Sequence, residues 1–311
     1  ETISVMSEPA SSTGTILVLV VGFLVLNYCR RNQFMVSQSL VFINFSIFAT
    51  WWILVFVKPS MAIDALLNLG FKPLYLQSLN FELLTLFSSM FMHGSPMHLL
   101  MNMLILILLG VPFEDRIGSK SFLRIYVISG LLGSLLTGII SVWNEGNDIE
   151  TIHIGASGAV FGIMGAFVLL YPRLEIPMLL GPIFMQRVPV LLSTIVFVGM
   201  ETLYVGLGTD DGIGHGTHMA SFVGGVFLAP YYASKAKDSK EVINFDLSFL
   251  SKINEKTGRG SHELKMIQDS DEPELVEAWI DEFWKIQKCP NCGGDISPKG
   301  KCSNCNSNFI D

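Results

Sequence analysis

Seven runs of near-continuous apolar residues divide the chain: 16–28, 40–57, 99–111, 122–142, 154–171, 188–205 and 219–232. A helix that crosses a bilayer needs about 20 predominantly apolar residues, so these runs read as membrane helices. The shorter ones are completed by flanking residues such as His98 and Gly216. The polar intervals set the orientation. Arg30 and Arg31, then Arg116, Lys120 and Arg124, then Arg173 and Arg187, and finally Lys235, Lys237 and Lys240 fall in alternate intervals. The segments 1–15, 143–153 and 206–214 carry no Lys or Arg. Basic residues collect on the cytoplasmic side, which predicts an outside N-terminus and a cytoplasmic tail in a multi-pass protein of the cell membrane. The first run is read as a retained helix rather than a signal peptide, because Arg30-Arg31 follow it and no basic segment precedes it. Lys58 and Lys72 break the charge pattern, in a segment 58–97 that is too long for a turn and rich in leucine. It is expected to lie partly in the outer membrane interface.

Composition agrees with this pattern. Of 311 residues, 50% are hydrophobic and 15% are charged, which excludes an ordinary soluble domain. The expected class is an all-α polytopic protein whose surroundings are the lipid bilayer. The net charge of −7 comes largely from the tail and says nothing about nucleic acid; no nucleic-acid partner is expected.

Three spans carry polar groups near one end. Ser157 sits in Gly155-Ala156-Ser157-Gly158-Ala159-Val160-Phe161-Gly162, where a polar loop becomes an apolar run. Free N–H groups at a helix start favour developing negative charge around such a hydroxyl. Small residues at that position also serve simply to let helices touch. His98 and Asn102, four apart, share one face of the third span. His218 lies near the start of the seventh. By strict alternation these three spans run the same way, so the polar groups share one depth. Ala220 and Gly224, with Gly158 and Gly162, give small faces through which the helices of Ser157 and His218 can approach.

Side-chain chemistry then assigns roles. Serine needs a neighbouring imidazole to take its proton, and His218 is the candidate base, with His215 as the competitor. His98, Asn102 and the Ser157 amide can stabilise an oxyanion. Phe161, one turn after Ser157, can hold the imidazole by stacking. No carboxylate lies in the span of His218, so a dyad is expected; Glu201, inside an apolar run, is a functional candidate by default, and its nearness to the outer end of the span favours an interface position. Catalysis needs no cofactor. The loop 206–214, with Gly206, Gly208, Gly212 and Gly214, reads as a mobile lid.

With these residues the chain resembles the rhomboid family of intramembrane serine proteases. The likeness covers roughly 40–232 and rests on His93, His98 and Asn102 in an HxxxxHxxxN pattern, on Gly155, Ser157, Gly158, Phe161 and Gly162, and on His218 followed by small residues including Gly225. It implies a six-helix core, a Ser157–His218 dyad, an oxyanion site of His98, Asn102 and the Ser157 amide, and cleavage of single-span membrane proteins near the outer face. Two features depart from the family pattern: Leu84-Thr85 replace a Trp-Arg pair, and Ser221 stands where a glycine is common. One helix precedes the six.

Beyond position 232 the chain becomes charged and polar. Asp271-Glu272-Pro273-Glu274 reads as a helix start, and Leu275, Val276, Trp279, Ile280 and Phe283 follow a helical period. Cys289, Cys292, Cys302 and Cys305 form two CxxC knuckles nine residues apart, a spacing that suits one structural Zn²⁺ in a small cytosolic ribbon. Iron suits the same thiolates. Cys29 reads as an inert residue at a helix end. The organisation expected is an accessory helix and linker (1–39), a rhomboid-like core (40–233), a linker with an amphipathic helix (234–288) and the ribbon (289–311), which a cytosolic protein partner could meet. The leading function is that of an intramembrane serine endopeptidase. The alternatives are a catalytically silent relative that binds or escorts transmembrane helices, and a transporter, which would need polar groups at inner depths that these spans lack.

Overall fold

The computed structural model describes residues 12–78, 80–144, 147–180, 183–207, 214–232, 247–270 and 273–309. The chain divides into two compact units, 1–236 and 237–311.

In the first unit, α1 (Thr13–Arg31), α2 (Val36–Val57) and α3 (Pro59–Leu69) come first. α1 packs closely on α3, where Gly14 lies against the Met61 carbonyl. The segment read as interfacial thus begins with a helix, started by Pro59 and buried on one side through Ala62, Ala65 and Leu69. The Trp51 indole of α2 donates to the Ala62 carbonyl at 3.0 Å and ties the two together. Short helical turns then lead to α4 (Pro96–Ile117) and α5 (Ser119–Trp143). α4 widens to π geometry over Leu106–Gly110, just before Pro112, a residue with no N–H to give the helical ladder.

The charged stretch at 113–117 is the last part of α4. Its Glu114 is 1% exposed and accepts from the Val36 and Ser37 N–H groups at 2.7 and 2.6 Å, capping the start of α2. A carboxylate at a helix N-terminus satisfies orphan donors and complements the dipole, which explains its tolerance of burial.

α6 (Ser157–Leu170), α7 (Val190–Leu207) and α8 (His215–Tyr232) complete this unit. Between α6 and α7, strands β1 (Glu175–Leu180) and β2 (Ile183–Pro189) pair antiparallel, an element added to the all-helical expectation. Ile176, Met178 and Val188 are buried while Ile183, Phe184 and Arg187 are exposed. The apolar residues of β2 masked a strand as the start of a span, whereas Pro177 and Pro189 mark where a helix cannot continue. α7 accordingly begins at Val190, directly after Pro189.

Among the described residues, α1, α2, α4 and α5 are long and apolar enough to cross a membrane, and α6 is a shorter apolar helix of 14 residues. Phe23, Phe56, Phe227 and Tyr231 are largely exposed, as lipid-facing residues are, while Phe113, Phe122, Tyr126 and Phe167 fill the centre. The protein is a multi-pass, mostly helical membrane protein.

The second unit holds α9 (Leu247–Thr257), α10 (Ser261–Asp269) and α11 (Pro273–Ile286), followed by the cysteine-bearing ribbon. Leu250, Ile253, Ile267, Val276 and Phe283 share a core with Cys289, Ile296, Cys302 and Phe309. The stripe of α11 is therefore covered by the two preceding helices and by the ribbon. Asp271 and Glu272, Lys235, Lys237 and Lys240, and positions 208–213 of the glycine-rich loop lie outside the described residues.

Candidate active site

The loop before α6 is fixed from three sides. His153 and Phe71 exchange backbone hydrogen bonds at 2.7 and 3.1 Å, the Gly155 N–H donates to the Ser89 carbonyl at 2.9 Å, and the Ala156 N–H donates to His93 Nε2 at 3.4 Å. Gly155 has φ +126°, and a Cβ there would stand 2.7 Å from His98 Nε2. Both facts require glycine, and the second places the His98 ring against the backbone immediately before Ser157. His93 and His98 rings meet edge-on with centroids 5.0 Å apart. Ser157 is the first residue of α6, and the first intrahelical bond runs from the Val160 N–H to the Ala156 carbonyl. The N–H groups of Ser157, Gly158 and Ala159 precede that bond and present the positive end of the helix.

α6 and α8 lie in backbone contact. Gly162 and Gly225 face each other so closely that a Cβ on Gly225 would fall 1.8 Å from the Gly162 carbonyl oxygen. Ser221, the residue standing in for a glycine, fits because Gly133 of α5 and Gly158 of α6 leave room for its hydroxyl. This approach brings His218 Nε2 to 2.7 Å from Ser157 Oγ. The Phe161 and His218 rings stack with centroids 4.6 Å apart and planes 5° from parallel. His218 is 6% exposed. Asn102 is buried and donates from Nδ2 to the His98 carbonyl at 2.9 Å, which spends one of its two amide hydrogens inside α4 and leaves the other.

His215 is not within the serine pair. Its Nδ1 lies 2.5 Å from Glu201 Oε2, and the same oxygen lies 3.1 Å from His218 Nδ1. Glu201, read from sequence as an interface residue, thus turns inward from α7, with its side chain 14% exposed. An acidic residue within an apolar run was the signal available. What could not be read was that the neighbouring helix would supply the carboxylate missing from the span of His218.

In the second unit the four cysteines converge. Cys289 Sγ is 3.6 Å from Cys305 Sγ, Cys292 Sγ is 3.4 Å from Cys302 Sγ, and all four sulfurs lie within 4.8 Å of one another. Tetrahedral bonds of about 2.3 Å place sulfurs about 3.8 Å apart, so the set fits one metal ion. The Ser307 hydroxyl, then its amide, hold the Cys305 thiol down at about 6, which favours the thiolate that a metal requires. Gly293 (φ +73°) and Asn306 (φ +58°) supply the left-handed turns of the two knuckles.

Known proteins similar to this chain are rhomboids. The family model described as "Rhomboid domain" matches residues 80–235. Rhomboid-like protease 3 of Toxoplasma gondii is 26% identical over 182 residues, 58% of this chain and 62% of that protein. RHOMBOID-like protein 4 of Arabidopsis thaliana is 32% identical over 143 residues, 46% of this chain and 32% of that one. Rhomboid protease AarA of Providencia stuartii is 26% identical over 208 residues, 63% and 72% of the respective chains. The chain thus spans less than two thirds of the length of the first two.

Proposed function

Because the chain belongs to the rhomboid family, we propose that it is an intramembrane serine endopeptidase that cleaves single-span membrane proteins near the outer face of the cell membrane. What supports this most is the 2.7 Å contact between Ser157 Oγ and His218 Nε2 at the start of an apolar helix. Two relatives bear protease names, Rhomboid-like protease 3 and Rhomboid protease AarA, and this chain has a serine and a histidine in contact, as the chemistry needs.

His218 Nε2 takes the Ser157 proton as Oγ attacks the scissile carbonyl, and returns it to the departing amine, leaving an acyl-serine. Water, deprotonated by the same nitrogen, releases the acid. The oxyanion formed in each step is met by the Ser157 N–H, by the His98 ring beside Gly155 and by the remaining Asn102 amide hydrogen. His93 acts through the Ala156 N–H, holding the loop that aims the first turn of α6. The distribution of Lys and Arg supports a cytosolic tail.

The test is purified full-length protein in liposomes with a single-span substrate and a fluorophosphonate probe. Cleavage together with labelling at Ser157 is expected. Substrate binding with neither would point instead to a protein that escorts transmembrane helices. Phe161→Leu keeps an apolar side chain but loses the flat face against His218. It is expected to lower kcat about 3- to 10-fold at nearly constant KM, the worth of one ring stack.

The ribbon is assigned a structural Zn²⁺ held by Cys289, Cys292, Cys302 and Cys305. A segment with so little core takes much of its folding energy from the metal. A strong chelator is therefore expected to abolish hydrogen-exchange protection across residues 289–309 while Ser157 labelling continues, and added zinc to restore it. Unchanged protection would rule out a metal-dependent fold.

A further inference from the structure

Glu201 Oε2 lies 2.5 Å from His215 Nδ1 and 3.1 Å from His218 Nδ1, while the other nitrogen of His218 faces Ser157 at 2.7 Å. The imidazole is therefore bracketed, with a hydroxyl at one nitrogen and a carboxylate at the other. His218 Nδ1 is buried and lies off the axis of a good hydrogen bond, so Glu201 is the charged oxygen nearest an otherwise unsatisfied ring nitrogen. The hydrogen bond from His215 and the second imidazole 3.1 Å from the same oxygen also account for how a charged group on the apolar helix α7 tolerates a side chain only 14% exposed. A metal is the other explanation for a Glu–His–His cluster whose ligand atoms lie within 4.8 Å. Tetrahedral bonds of about 2.0–2.1 Å to nitrogen and oxygen would hold two ligand atoms about 3.3 Å apart. At 2.5 Å the Glu201–His215 contact is too close for two ligands of one ion and is a direct hydrogen bond between the two side chains.

We propose that Glu201 is a positioning residue for the base: its carboxylate, steadied by His215, keeps the His218 proton on Nδ1, leaves Nε2 free to accept from Ser157, and stabilises the imidazolium formed during attack. This rests on the protease function proposed above. No carboxylate is available from the span of His218, so the neighbouring helix supplies it, and the working unit becomes Ser157, His218 and Glu201 with His215 behind. The carboxylate oxygen moves no proton itself; it fixes which ring nitrogen carries one. Separation of α7 from α8 would withdraw it, so full catalytic power requires the two helices to be in contact at this level.

Full-length wild type, Glu201→Gln and Glu201→Asp are compared in liposomes. Glu201→Gln is expected to lower kcat about 10- to 10³-fold with KM within about twofold, and to slow fluorophosphonate labelling of Ser157 in parallel. The loss is set below the ~10⁴-fold seen for an aligned triad carboxylate because the Nδ1 contact is off-axis. Glu201→Asp, which keeps the charge, is expected to recover part of it. A kcat within twofold of wild type, or a change in KM alone, overturns the proposal. ¹⁵N NMR of histidine-labelled wild type, with His218 assigned by its absence in His218→Ala, reads the tautomer without needing turnover or a folded Glu201 variant. A proton on Nδ1 supports the role and one on Nε2 refutes it. A wild type that neither cleaves nor labels would end the protease assignment, and the tautomer would still decide what Glu201 does.

Discussion

Replacing Ser157 by alanine is expected to lower kcat by about 10⁶-fold, and His218→Ala by nearly as much, because neither group acts without the other. The contact of 2.7 Å makes them one unit, so the double variant should be scarcely worse than either single one. Independent contributions would multiply instead, which makes the double variant the sharper measurement. Residual cleavage from the oxyanion donors is expected in all three, since His98, Asn102 and the Ser157 N–H are untouched. Purified protein with a single-span substrate, followed in single turnover, provides the rates. Thermal unfolding should show Ser157→Ala near wild type, because the side chain is half-buried and loses one oxygen. Substantial cleavage by Ser157→Ala would require another nucleophile.

Gly225→Ala is expected to do comparable harm far from the reacting atoms. The added Cβ would lie 1.8 Å from the Gly162 oxygen, 2.6 Å from its carbonyl carbon and 2.9 Å from its Cα. These are backbone atoms and cannot rotate away. Nor can α6 retreat freely, because Gly162 is itself pressed by Ser129 of α5, whose hydroxyl would lie 1.8 Å from a Cβ there. Relief requires α8 to move by more than 1 Å, as ordinary contacts stand at roughly 3.5–4.0 Å. Overpacking of this kind costs about 3 kcal/mol or more. The same movement pulls His218 from Ser157, and a misplacement of about 1 Å costs on the order of 10² in rate. Gly216→Ala is the control on the same helix. Its nearest neighbour would be the Thr137 methyl at 3.7 Å, so stability should stay within about 0.5 kcal/mol. Thermal midpoints in detergent and cleavage rates in liposomes check both; equal behaviour of the two variants would argue against backbone contact between α6 and α8.

Ser157, His218 and Phe161 could be read together because membrane helices alternate and each residue falls at the same end of its span. Their contact then needed only small residues between α6 and α8. The four cysteines were legible for a different reason, since the spacing of two knuckles carries its own geometry. Glu201 and His215 were harder: their meeting depends on how α7 leans against α8, and no periodicity in either helix encodes that. The β1–β2 hairpin was hidden because apolar strand residues and the start of an apolar helix look alike until Pro177 and Pro189 are weighed. Glu114 was hidden among its charged neighbours Asp115 and Arg116, from which nothing in the sequence singles it out as a buried helix cap.

The 14 residues of α6 rise only about 21 Å, against a hydrocarbon thickness of about 30 Å. With Tyr171 and Arg173 at one boundary, the proposed nucleophile Ser157 would stand about 9 Å inside the other. That shortfall is a hydrophobic mismatch built into the central helix of the core. Lipid tails must shorten around it or water must descend to meet it, so membrane thickness itself would become a variable of the proposed reaction.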